Sequence, residues 1–173
     1  MRFAHTAPGR RSTPTLDRMQ TKLLTAAVLL LCVVQVRAGS DDFVFSAATS
    51  ADRTVTWQRK SILAGDFTCH GKREFAVLGT KAKEIVVAVI RPPSRKPIDV
   101  LRYSGVARSP ESAILTIEPL DFNLEELEQH VGYVPDGLEP SKTCQGLNMT
   151  DQMIDSAHIY WHRKKRRFES WSL

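Results

Sequence analysis

Two short runs of apolar, largely β-branched residues, Phe75-Ala76-Val77-Leu78 and Ile85-Val86-Val87-Ala88-Val89-Ile90, constrain this chain most. Side chains of that kind pack well on a pleated surface, and short runs of them bounded by turn residues read as strands. With Gly79-Thr80-Lys81-Ala82-Lys83 between them, the two runs predict an antiparallel hairpin. Pro92-Pro93 ends the second strand, because proline has no N–H to give to a ladder.

Further strands follow from the same pattern. Ile98 to Tyr103 alternates, Ala113 to Ile117 is a fourth run stopped by Pro119, and His158 to Trp161 and Arg167 to Trp171 pair around the basic turn Arg163-Lys164-Lys165-Arg166. Val55 to Leu63, with Trp57 and Ile62, is expected as a short helix. Residues 120–143 are acidic and turn-rich, and Asn123 to His130 should make one or two helical turns with Asn123 as cap. The fold class expected is mainly β (α+β): a single small domain with an antiparallel sheet of five or six short strands and minor helix. A length of 173 residues, 42% hydrophobic and 25% charged, leaves room for one domain and excludes collagen-like, wholly disordered and multi-span membrane classes.

The net charge of +5 suggests a nucleic-acid binder until its position is examined. Residues 1–38 hold six Lys/Arg against Asp17, which accounts for the whole excess; the other 18 basic and 18 acidic residues cancel. Steering of a polyanion by net charge is therefore not expected of residues 39–173, nor is a nucleic-acid partner. The basic segment instead has the order of a secretory signal. Lys22 precedes an apolar run from Leu23 to Val34, and Val36-Arg37-Ala38 suits cleavage after Ala38. The run is too short to span a bilayer, which needs roughly 20 residues. Met19 stands just before it, so residues 1–18 read as an upstream extension from an early start, and Leu31 before Cys32 argues against lipidation. The expected organisation is a leader over 1–38, a flexible, Ala/Ser-rich mature N-terminus over 39–54, and one β-rich domain over 55–173. The protein should be exported, to a periplasm or the extracellular space, as a monomer without a transmembrane segment.

Cys69 and Cys144 remain after cleavage. In an oxidising compartment an even pair without CxxC spacing is expected to form a structural disulfide. The bridge would close a 76-residue loop, for which chain entropy gives at most about 4–5 kcal/mol of stabilisation.

The stretch from Gly65 to Leu78 carries the most suggestive constellation. Asp66, Thr68, His70 and Glu74 occupy positions 1, 3, 5 and 9 of a loop with Gly71 at position 6, and a strand follows. Over about fourteen residues this resembles the calcium loop of FG-GAP and VCBS-type repeats. The resemblance implies a turn leading into a strand and, as metal ligands, Asp66, Thr68 and Glu74 around Ca2+; no other cofactor is indicated. Thr68 departs from the pattern as a neutral donor and His70 as a nitrogen, and the plain alternative is a tight acidic turn pinned by Cys69.

Two other patterns point to chemistry. Asp155, His158 and His162, spaced i, i+3, i+7, would align on a helix as ligands of a metal-dependent hydrolase, whereas Ile159-Tyr160-Trp161 between them favours a strand. No GxSxG nucleophile motif is present. Arg163, Lys164, Lys165, Arg166 and Arg167, beside Tyr160, Trp161, Phe168 and Trp171, could grip an anionic polymer or envelope lipid, or simply form a solvated hairpin tip. Asn148-Met149-Thr150 is an N-glycosylation sequon. Taken together the sequence favours a small exported binding or structural domain with no catalysis of its own.

Overall fold

Alternation along the apolar runs decides which faces are buried. The computed structural model describes residues 39–104, 109–151 and 156–172. Strands β1 (Thr56–Trp57), β2 (Leu63–Gly65), β3 (Glu74–Lys81), β4 (Glu84–Ile90) and β5 (Pro97–Ser104) form one antiparallel sheet, in which β1 and β2 share the outer edge of β3. Strands β6 (Ile114–Leu120), β7 (Ser141–Thr150), β8 (Ala157–His162) and β9 (Arg167–Trp171) form a second sheet in sequence order. Helix α1 covers 39–51 and α2 covers Leu124–Val131. The fold is mainly β with minor helix, as expected. The described strands number nine, in two sheets, because residues outside the apolar runs also pair.

Strands β3 and β4 are apolar throughout because both faces of the first sheet are covered. Ala76, Leu78, Ile85, Val87 and Val89 meet Leu115, Leu147, Met149 and Ile159 of the second sheet. Phe75, Val77, Val86, Ala88 and Ile90 face the other way, against Val44, Ala47 and Ala48 of α1. Full burial of a Val, Leu or Ile side chain contributes about 1.5–3 kcal/mol, so this two-sided pair of strands is the stability centre. Segment 39–54, expected to be flexible, is thus mostly an ordered helix. Val44, Ala47 and Ala48 follow i, i+3, i+4 spacing and are at most 1% exposed. Composition alone hid that stripe.

Residues 55–63, expected as a short helix, instead carry β1, a 3-10 turn and the start of β2. Trp57 and Val55 cover Gly79, where a Cβ would stand 2.5 Å from Val55 Cγ1, so Gly79 lies within β3 and the hairpin turn shrinks to Ala82-Lys83. Between β1 and β2 a 3-10 turn (Arg59–Ser61) interrupts the edge, and Ser61 Oγ replaces a strand carbonyl by accepting from Leu78 N at 2.9 Å. Pro119 does not stop β6, which runs to Leu120. β6 is an edge strand of its sheet, where a missing N–H costs no ladder bond. The longest strand, β7, lies in the segment expected to be turns and beyond it. The C-terminal hairpin forms as predicted: Trp161 pairs with Phe168, their rings edge-to-face at 5.0 Å, and Ile159 is 1% exposed. Asp99 Oδ2 of β5 accepts from Phe168 N at 3.0 Å, tying the edges of the two sheets together.

A third cluster covers the outer face of the second sheet, where Leu120, Leu138, Cys144 and Tyr160 are buried under Phe122 and Leu127. Helix α2 contributes no fully buried residue to it. Asn123 caps α2 as expected, accepting from Glu125 N at 2.9 Å.

Candidate anion-binding cleft

The loop from Asp66 to Arg73 is built around carboxylates that accept N–H bonds. Asp66 accepts from His70 N at 3.0 Å and from Gly71 N at 2.7 Å. Glu74, wholly buried, accepts through Oε2 from Phe67 N (3.1 Å) and Thr68 N (2.8 Å), and through Oε1 from Thr68 Oγ1 (2.6 Å) and Arg91 Nε (2.7 Å). Arg91 Nη2 completes an ion pair with the same oxygen. Of the expected calcium ligands, Thr68 and Glu74 are bonded to each other and share the Arg91 guanidinium, while Asp66 turns to the His70 and Gly71 amides. Among the described residues no group of three or more His, Cys, Asp or Glu side chains gathers in a way that could hold a metal ion. Cys69 and Cys144 are bonded, with Cα atoms 4.8 Å apart, so the loop is fastened to β7.

Beside that loop lies a cleft of about 610 Å3. Thr68, Cys69 and His70 supply one wall, Arg91 and Ile98 the floor at the end of the first sheet, and Trp161 with Arg163 and Arg166 the other wall. Glu74 neutralises Arg91 from behind, yet the Arg91 side chain stays 32% exposed and can present its other edge. Arg163 makes one solvent-exposed pair with Glu139 at 3.3 Å, the kind that holds weakly in water. Arg166, whose backbone is left-handed at φ 52, makes no ion pair among the described residues. The cleft thus carries an excess of positive charge against a half-buried indole.

The basic tip predicted as one patch divides in two. Arg163 and Arg166 line the cleft. Lys165 is held by Asp136 at 3.0 Å and Glu169 at 3.3 Å, and Arg167 by Glu169 at 2.7 Å. Those contacts keep Asp136 (chiefly through Lys165, then His162) and Glu169 (chiefly through Arg167) below the usual carboxylate range. They also push Lys165 up, Asp136 being the main cause. Lys164 is exposed.

The two histidines are not brought to one point. His158 Nδ1 meets Glu118 Oε1 at 2.7 Å and its ring stacks on Trp171, while the buried His162 reaches Asp136 at 3.2 Å through Nε2. The His162 ring packs on Gly137, where any Cβ would lie 2.5 Å from it. Asp155, the third member of the predicted hydrolase set, lies outside the described residues, as do the leader 1–38 and its Cys32. Asn148 of the sequon lies in β7 between two strands, its amide nitrogen 3.3 Å from His158 Nδ1.

Sequence reasoning missed Arg91, Glu118 and the pairing of each histidine with its own carboxylate. Arg91 carried one signal, a lone cation between an apolar strand and Pro92-Pro93. Among the described residues no helix is long and apolar enough to cross a membrane. No known family, curated protein or solved structure matches the chain.

Proposed function

We propose that this protein is an exported, non-catalytic binding domain that holds a segment of an anionic polymer in the Arg91–Arg163–Arg166 cleft. The observation that carries this reading is the convergence on one cleft, beside Trp161, of Arg91 from the end of β4 with Arg163 and Arg166 from the β8–β9 turn. Guanidinium forks suit phosphate or sulfate oxygens, and an indole gives the linking atoms an apolar surface. A recessed cleft fits a polymer chain better than a flat lipid surface, which a projecting basic strip would suit. Export is supported by the charged, apolar and small order of residues 1–38, and the disulfide suits an oxidising compartment.

The test is titration of the purified protein with long-chain inorganic polyphosphate at several salt concentrations, with anionic phospholipid vesicles as the second arm. Binding to polyphosphate that weakens with salt, and falls at least about tenfold in Arg166→Gln, supports the reading. Binding to vesicles alone would replace the polymer with an envelope lipid, and binding to neither would overturn the function.

A further inference from the structure

A second cavity, of about 190 Å3, lies on the outer face of the second sheet beneath α2. Its wall is apolar, formed by Leu120, Phe122, Leu127, Leu138 and Tyr160, and its polar rim is the Glu118–His158 pair. None of the cleft arginines lines it. The volume is informative, because a dry cavity of about 150 Å3 lined by Leu, Ile and Phe holds one benzene ring.

The rim adds direction. At 2.7 Å the Nδ1–Glu118 contact is the shortest made by His158, so Nδ1 donates to the carboxylate and the tautomer is set. When the ring carries its proton on Nδ1 alone, Nε2 is an acceptor, and it takes no partner from the described residues. Trp171, stacked 4.0 Å away at 11°, holds the imidazole plane in place. An acceptor on an apolar, ring-sized cavity calls for a ligand with one hydroxyl donor, and Glu118 disfavours an anionic head. Over the cavity sits α2, a helix with no fully buried residue, whose Leu127 packs on the apolar cluster and lines the cavity.

We propose that this cavity is a binding site for a small single-ring aromatic alcohol, the ring beneath Leu127 and the hydroxyl donating to His158 Nε2. The site is independent of the anionic cleft. Calorimetric titration of the full protein with 4-methylphenol and with toluene, which has the same ring and methyl group but no hydroxyl, tests it. The phenol should bind at least about tenfold more tightly than toluene, the difference one buried hydrogen bond makes. His158→Phe, which keeps a ring against Trp171, should bring the two affinities together. Leu127→Trp, which fills the cavity from α2, should abolish both. Equal affinities in the unmodified protein, a preference that survives His158→Phe, binding that ignores Leu127→Trp, or no binding at millimolar ligand would each overturn the proposal.

Discussion

Replacing Glu74 by Gln changes a single oxygen for an NH2 group, and should cost more than almost any other isosteric change in this protein. The carboxylate is 0% exposed and receives donors on both oxygens: two backbone N–H groups on Oε2, and Thr68 with Arg91 on Oε1. However the new amide is turned, its NH2 faces donors. It strands either the Phe67 and Thr68 amides or the Arg91 guanidinium. Losing two such bonds, at about 1.5–3 kcal/mol each when one partner is charged, gives about 3–6 kcal/mol. For a domain of this size that lowers the melting temperature by roughly 10–20 °C. Urea unfolding is the assay, and the slope with denaturant should stay constant while the midpoint falls. Asp66→Asn, in the same loop but near the surface, should cost about 1 kcal/mol or less. A Glu74→Gln loss below about 1 kcal/mol would refute the assignment of Glu74 as the organiser of loop and cleft.

Three further outcomes follow from the same geometry. Reducing or deleting the Cys69–Cys144 bridge, which spans 75 positions, should lower stability by up to about 4–5 kcal/mol in chemical denaturation. Trp161→Ala should cost about 2–4 kcal/mol, because the indole packs on Phe168 but is only half-buried, whereas Lys164→Ala should leave the melt unchanged. Burial raises the Tyr103 and Tyr160 hydroxyls to about 12, so the unfolded chain ionises first; stability from these groups is complete below pH ~10 and is lost between about 10 and 12. Tyr103→Phe should flatten that alkaline loss, as read from melts across the range.

The strands legible in the sequence were those whose side chains carry the pattern themselves. Ile85 to Ile90 can be little else than a buried strand, and the Trp161–Phe168 pairing follows from alternation across a four-residue basic turn. β7 was not legible because Lys142, Gln145, Gly146 and Asn148 interrupt its apolar residues; it is a strand because β6 and β8 supply ladders on both sides. The α1 helix was hidden for a related reason, since alanines look neutral until a sheet is present to bury them. At the site, the sequence drew attention to the Asp66–Glu74 loop and to the basic tip as separate features. Their meeting across the cleft, with Arg91 and Ile98 between them, is a product of two sheets packing, which no local spacing encodes. For His158 and His162 the strand favoured by Ile159-Tyr160-Trp161 is the one that forms, and on β8 each histidine finds its own carboxylate, which no spacing encodes.

The measurement that tests the central claim most directly compares two charge-matched variants, Arg163→Gln/Arg166→Gln and Lys164→Gln/Lys165→Gln, for affinity to polyphosphate at one fixed salt concentration. Each removes two positive charges from the same turn, but only the arginines line the cleft. The account requires the arginine pair to lose at least about tenfold and the lysine pair less than about threefold, with both variants folded. Equal losses would mean that the turn acts only as a diffuse positive surface, and would contradict a built anion-binding cleft.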